Sequence, residues 1–126
     1  MAFYKSKTRF SDTLTLSSGV KSLTLHVDLD LVHTAQRMRK AKENLAEAQN
    51  NAMDHRSDET AAAYGQALRE LICVVFGQEQ TDSLLIFYEG RPDSMIEDIM
   101  PYILNKIVPM VNKASRKRAK ELAKSR

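Results

Sequence analysis

Alternation of apolar and polar residues is the first regular pattern along the chain. From Asp12 to Ser17, and again from Val20 to Val27, the two kinds of residue alternate as they do in a strand with one buried face. Ser18 and Gly19 lie between the two runs and are typical of a tight turn. The pattern predicts a β-hairpin. A lone hairpin is only marginally stable in water, so it must pack on helices or on another strand.

Apolar residues recur at helical spacing after the hairpin. Asp28 or Asp30 should cap a first helix that extends to about Met53, and its thin apolar stripe leaves the helix mostly solvated or bound to a partner. Ser57 or Asp58 should cap a second helix. This second helix carries the most apolar segment of the chain, so we expect it to form the centre of the core.

Glycines and prolines divide the second half of the chain. Gly77 is expected to stop the second helix, and a shorter third helix over residues 79–88 should end at Gly90. A fourth helical region should begin at Pro92, where a first helical turn tolerates proline. Proline has no backbone donor, so two later prolines should kink or break this region: Pro101 and Pro109.

These elements predict one domain of the mainly α, α+β class, with an N-terminal β-hairpin packed on a bundle of about four helices. A length of 126 residues, of which 43% are apolar, fits a single globular unit. We expect residues 1–11 to form a loose arm and residues 12–113 the folded body. Residues 114–126 should form a basic tail, which is either a frayed, projecting helix or a disordered segment.

Positive charge is concentrated towards the C-terminus. Residues 104–126 carry a net charge of +7, whereas the whole chain carries +3, so the rest of the chain is net acidic. Five basic residues in this segment are the candidates for binding nucleic acid phosphates or an acidic protein: Arg116, Lys117, Arg118, Lys120 and Lys124. A solvated helix end explains the same residues without any partner. The segment from residue 114 has no aromatic side chain to stack on bases, which disfavours nucleic acid.

No combination of residues in the sequence forms a recognisable catalytic, cofactor or metal site. His26, His33 and His55 are scattered, and no cysteine stands at zinc-ligand spacing from them. Cys73 lies in an apolar run and is expected to be a buried small hydrophobe. The four glycines stand apart, so no phosphate-binding loop is predicted. We therefore expect a non-enzymatic binding protein without cofactor or metal.

The sequence also has the features of an intracellular protein. A single cysteine cannot form an intramolecular disulfide, which suits a reducing compartment. No apolar stretch is long enough to cross a bilayer. The basic residues near the N-terminus are not followed by the apolar run of a signal peptide. We expect a cytoplasmic protein that does not bind a membrane.

Three motifs within residues 71–126 together resemble a known family. They are Phe-Gly-Gln-Glu-Gln from Phe76, Phe-Tyr-Glu-Gly from Phe87, and Met-Ile followed by Pro-Tyr-Ile from Met95, and a Lys/Arg-rich helix closes the segment. A long charged helix precedes them, after a short β segment that ends in an acidic pair: Asp28 and Asp30. This combination resembles the tail assembly chaperones of long-tailed phages and prophages of Gram-positive bacteria.

The resemblance implies a function in tail assembly. Such chaperones coat the tape-measure protein while the tail tube polymerises around it, and they are absent from the finished virion. The implied partners are the tape-measure protein, the tail tube protein through a frameshifted longer form, and further copies of the chain, all in the host cytoplasm. The unpaired hairpin edge and the first helix are the surfaces we expect to serve this binding. The alternative is a small nucleic-acid-binding regulator that uses the basic C-terminal tail.

Overall fold

Helices dominate the structure, and a β-hairpin precedes them. The computed structural model describes residues 9–89 and 91–124. In chain order the elements are β1 (Arg9–Ser18), β2 (Lys21–Asp30), α1 (Leu31–Asp54), α2 (Asp58–Phe87), α3 (Pro92–Tyr102), a π-helical turn (Ile103–Ile107) and α4 (Val108–Lys124). The protein is 75% helical, which confirms the predicted α+β class with an N-terminal hairpin. Three expectations fall outside the described ranges: residues 1–8 of the arm, Gly90 as a helix end, and residues 125–126 of the tail.

The hairpin is longer than its alternating pattern predicts. β1 and β2 pair antiparallel over their full lengths, with Gly19 and Val20 as the turn. Gly19 adopts φ +63°, a left-handed conformation that glycine reaches without strain and that tight hairpin turns require. Residues 9–11, expected in the loose arm, form the start of β1 because they pair with the end of β2. There the Arg9 guanidinium lies 3.1 Å from the Asp28 carboxylate.

One face of the hairpin is buried, and the two strands contribute to it unequally. Leu25, Val27 and Leu29 of β2 are buried against α1 and α2. The apolar residues of β1 on the same face are only partly buried: Phe10, Leu14 and Leu16. β2 therefore lies over the helices and β1 is the outer strand.

Side-chain caps determine where α1 and α2 begin. The Asp30 carboxylate accepts hydrogen bonds from two backbone N–H groups of the first turn of α1, at 3.1 and 3.2 Å. Asp28, the other candidate, instead pairs with Arg9. The Ser57 side chain caps α2 in a reciprocal arrangement with Thr60. Each cap satisfies backbone donors that have no acceptor inside the helix.

Gly77 interrupts α2, as the sequence predicts. Its φ of 82° and ψ of 162° are not helical, so α2 consists of two helical segments joined at this residue. The Thr81 hydroxyl donates a hydrogen bond to the Gly77 carbonyl at 2.7 Å, which gives this backbone group a partner at the interruption. The second segment ends at Phe87, one residue before the predicted end of the third helix.

Kinks or breaks were expected at Pro101 and Pro109, and no break occurs: α3, the π-helical turn and α4 form one continuous run. In the π-helical turn the backbone N–H of Val108 donates to the carbonyl of Ile103, five residues earlier. This wider turn lies between the two prolines. Proline has no backbone N–H to donate. The helical run accommodates both prolines with a local change of hydrogen-bonding pattern and without a break.

The core lies where the hairpin, both long helices and the C-terminal run meet. α1 packs against α2 and α4, while β2 and α3 both pack against α2. Its large, fully buried side chains come from all of these elements except α1: Leu25, Val27, Leu71, Ile72, Leu84, Met95, Ile99, Ile103, Ile107 and Val111. The apolar segment of α2 is therefore central, as predicted, and α1 contributes a thinner face.

Candidate protein-binding surface

The five basic residues expected to bind a partner lie on α4, and all of them are exposed. The segment is helical through Lys124. Two features favour the helix over the disordered alternative. Alanine, lysine and arginine have high helix propensity. The first part of α4 also docks against α1, where Val111 is buried and Ala114 and Ser115 are partly buried.

Helical geometry separates these five residues into two sets. Successive residues of an α-helix are turned by about 100°, so spacings of three, four and seven place side chains on one face. Four of the five expected residues follow this spacing and share a face. A further exposed lysine, one turn earlier, joins them. We call this set the α4 stripe: Lys113, Arg116, Lys117, Lys120 and Lys124.

The α4 stripe points away from the body of the protein. The residues that dock α4, Val111, Ala114 and Ser115, lie on the opposite side of the helix. Within residues 9–89 and 91–124, no carboxylate forms a salt bridge with a cation of the stripe. The stripe extends over about three turns, or roughly 16 Å of helix. It is a row of solvated cations that an acidic partner can reach.

Arg118 does not belong to the α4 stripe. It lies on the docked side of α4 and lines a cleft of about 350 Å³ with Asp30 and His33 at the start of α1. Its neighbour in this cleft is thus the acidic cap of α1. The structure brings together four of the five expected residues, separates Arg118 from them and adds Lys113.

The outer edge of β2 is occupied by a side chain of α2. The Gln80 amide accepts a hydrogen bond from the backbone N–H of His26 and donates one to the His26 carbonyl, both at 2.7 Å. Gln80 thus takes the place that a neighbouring strand would fill at this position. The sequence gives no sign of this contact, because the two residues stand 54 positions apart.

Asp12 anchors the outer strand β1 to the C-terminal helical run. Its carboxylate accepts a hydrogen bond from the Tyr102 hydroxyl at 2.8 Å and lies 3.2 Å from the Lys106 ammonium group. The bond from Tyr102 is the largest of several contacts that lower the pKa of Asp12. Burial and the same contact raise the pKa of Tyr102. The charge of Asp12, although directed towards the body, is therefore matched.

Two further polar contacts hold the ends of elements together. The ammonium group of Lys21, beside the hairpin turn, pairs with Glu89 after α2, and this contact lowers the pKa of Glu89. The Tyr88 hydroxyl donates to the Asp98 carboxylate of α3 at 2.7 Å. Burial, together with this carboxylate, raises the pKa of Tyr88 to about 12. Both contacts position elements and involve exposed carboxylates.

The side chains considered for chemistry lie apart from one another. His26, His33 and His55 are exposed, on β2, in the first turn of α1 and just after α1. Cys73 is only partly buried, contrary to the prediction, because it lies at the margin of the apolar face of α2. There it lines a cleft of about 360 Å³ with Arg37. Over the described ranges, no group of three or more His, Cys, Asp or Glu side chains is placed to hold a metal ion.

None of the described helices combines the length and the apolar character needed to cross a membrane. Comparison of the chain with known protein-family models, curated proteins and solved structures finds no match.

The three motifs of the resemblance fall on helix boundaries and the core. The first surrounds the interruption at Gly77, the second ends α2, and the third extends through α3 to Ile103.

Proposed function

We propose that this protein is a non-enzymatic chaperone of phage-tail assembly, which binds the tape-measure protein in the host cytoplasm while the tail tube forms. The α4 stripe is the observation that carries the proposal, because it is a row of cations on the side of α4 that faces away from the body. The sequence motifs of residues 71–126 supply the class of partner. An elongated helical protein with carboxylates along one face matches the stripe in shape and in charge.

The α4 stripe determines how much electrostatic interactions contribute to this binding and how they depend on salt. An exposed ion pair contributes about 0.2–1 kcal/mol, so five such pairs supply only part of a stable complex. Their main effects are to orient the partner along α4 and to speed its encounter, since solvated charges of opposite sign attract over a distance. Salt screens such charges, with a Debye length of about 8 Å at physiological ionic strength. Binding should therefore weaken as salt increases.

Capture of the tape-measure protein tests the proposal. The tagged chain and the tape-measure protein encoded beside it are co-expressed, treated with nuclease and purified together. Three variants are compared: wild type, the stripe reversal Lys117→Glu/Lys120→Glu, and a control reversal of two exposed cations outside α1 and α4, Arg56→Glu/Arg91→Glu.

Wild type and the control reversal should retain the tape-measure protein, and the stripe reversal should lose it. The control changes the net charge by the same amount, so a loss limited to the stripe reversal assigns binding to α4. If wild type captures no tape-measure protein at low salt, the proposal is wrong. Equal losses of the tape-measure protein in both reversals would show that the α4 stripe has no specific role in binding.

A nucleic-acid-binding regulator is the second candidate, because the same five cations are able to contact phosphates. With five contacts to double-stranded DNA, the logarithm of the binding constant should fall with the logarithm of salt concentration at a slope of roughly −4.5. None of the residues 108–124 is aromatic, so α4 itself offers no stacking surface for bases. Recovery of nucleic acid alone without nuclease, and its release by salt, would favour this candidate.

A further inference from the structure

We propose that β1 pairs with β1 of a second copy of this chain, so that two hairpins form one four-stranded antiparallel sheet. The proposal is independent of the function proposed for α4 and concerns a different surface. It rests on three observations: the free backbone groups of β1, the absence of blocking residues on this strand, and a partly exposed apolar row that is complementary to itself.

The backbone groups at the outer edge of β1 can be identified from the contact at the other edge. Gln80 bonds both the N–H and the carbonyl of His26, so these groups point out of the sheet. In an antiparallel pair, outward groups occur at every second residue and at opposed positions. His26 pairs with Thr13, so Ser11, Thr15 and Ser17 also direct their N–H and carbonyl groups outward from β1.

These outward groups of β1 are almost unoccupied. Within the described ranges, the Thr13 N–H donates to the neighbouring Asp12 carboxylate at 2.9 Å, and no hydrogen bond reaches the outward groups of Ser11, Thr15 or Ser17. At the other edge, Gln80 occupies the backbone groups of His26 in β2. Among the described residues, the outward groups of β1 are free on both sides of Thr13. A row of free donors and acceptors in an extended strand is a template for another strand.

β1 lacks the features that usually prevent strands from pairing at an edge. Natural edge strands carry lysine, proline or a bulge, or direct a charge inward. β1 contains no lysine or proline, and its register with β2 runs without a bulge. Its inward charge, Asp12, is already matched by Tyr102 and Lys106. At the edge Asp12 holds only the Thr13 N–H, a bond that pairing with a second copy would exchange for one to Ser17 of that copy.

A second copy fits this edge because the apolar row of β1 is complementary to itself. In a symmetric pair centred on Thr15, positions whose numbers add to 30 face each other. Leu14 then faces Leu16 of the second copy at two equivalent places, and Asp12 faces Ser18 of the second copy, away from apolar side chains. Both leucines are only partly buried in the single chain. Apolar cross-strand pairs of this kind contribute about 0.2–1 kcal/mol each.

Proline at the centre of the proposed pair tests it. Thr15→Pro removes the N–H of each copy, and so both of the symmetric bonds at the centre of the pair. No described residue accepts a hydrogen bond from this N–H within the single chain. Proline is also tolerated at an extended edge position. Thr15→Val is the matched control, because it also loses the contact of the Thr15 hydroxyl with Thr24 but keeps the N–H. Analytical ultracentrifugation measures the oligomeric state, and circular dichroism checks that each variant is folded.

Wild type and Thr15→Val should dimerise, and Thr15→Pro should be a folded monomer or should dimerise at least about tenfold more weakly, which is the loss expected for about 1.4 kcal/mol. A wild type that stays monomeric at the highest soluble concentration overturns the proposal. A folded Thr15→Pro chain that dimerises as strongly as wild type overturns it as well. The stripe reversal on α4 should still dimerise, so failure here is distinguishable from failure of the proposed function.

Cross-linking tests the register, and it gives an answer even if Thr15→Pro does not fold. In a Cys73→Ser background, Thr15→Cys places two thiols at the symmetric centre, where opposed Cα atoms lie about 5.5 Å apart, within the range of a disulfide. Thr13→Cys is the control, because its two copies would be four residues apart along the sheet, about 13 Å. Mild oxidation should cross-link only Thr15→Cys. Equal or reversed cross-linking contradicts the proposed pairing.

Discussion

Replacing Gln80 by alanine should destabilise the protein through hydrogen bonds alone. The Gln80 amide accepts from the His26 N–H and donates to the His26 carbonyl, each at 2.7 Å. It also lies 2.8 Å from the Phe76 carbonyl within α2. The first two contacts join β2 to α2 across 54 residues of sequence, so Gln80→Ala weakens a long-range connection while leaving every core side chain in place.

The expected magnitude follows from the two bonds to His26. A neutral hydrogen bond contributes about 0.5–1.5 kcal/mol net, which gives about 1–3 kcal/mol for the pair. The His26 side of this contact is exposed, so water can solvate the freed backbone groups, and the cost should fall in the lower half of that range. We therefore expect Gln80→Ala to lower the free energy of unfolding by about 1–2 kcal/mol.

Urea unfolding followed by circular dichroism measures this change. All variants are compared at one protein concentration, because dimerisation makes apparent stability depend on concentration. Gln78→Ala is the control. Gln78 is exposed two residues earlier, and its amide donates to Asp82 of the same helix at 2.8 Å. It should cost less than about 0.5 kcal/mol. A Gln80→Ala cost below that limit, or an equal cost for Gln78→Ala, would refute the reasoning.

Three further changes test other parts of the fold. Gly77→Ala puts a side chain on a residue with φ +82° and should cost about 1–3 kcal/mol in urea unfolding, although the surrounding space is open; no measurable cost would mean that the backbone relaxes there. Ile103→Ala empties a fully buried position and should cost about 2–5 kcal/mol, seen as a lower thermal midpoint; an unchanged midpoint would contradict this packing. Asp12→Asn tests the lowered pKa of Asp12. The folded carboxyl titrates below its ordinary value of 3.8, so wild type should lose stability as pH falls from that value through the lowered pKa, and the variant should lose less over the same window. Equal pH dependence of the unfolding free energy in the two chains would show that this contact does not stabilise the fold.

Local patterns were enough to predict most of the secondary structure. Period-2 alternation identifies the hairpin, since one face of each strand is apolar. Asp30 and Ser57 mark helix starts because their side chains accept hydrogen bonds from free backbone donors. Gly77 marks an interruption because glycine adopts its left-handed φ without strain. These signals act within a few residues, so a single sequence displays them.

Long-range geometry is what sequence reasoning missed. The contact of Gln80 with His26 depends on how β2 packs on α2, which no local pattern shows. The exposure of Cys73 depends on which side of α2 faces a neighbour. The composition of the α4 stripe was missed for a different reason. The positions of charges along the tail do not show which of them share a helical face. A turn of about 100° per residue separates Arg118 from the other cations and adds Lys113.

The π-helical turn at Ile103–Ile107 sets the rotation of α4 about the helix axis relative to α3. Its hydrogen-bond ring holds one residue more than an α-helical ring, so it behaves like a one-residue insertion between α3 and α4. If the same five residues made α-helical hydrogen bonds instead, α4 would be rotated by about 100° relative to α3. The rotation would carry the cationic row away from its outward direction. The face that α4 offers to a partner is therefore set by a turn that contains only one of the chain's basic residues, Lys106, and none of those in the row.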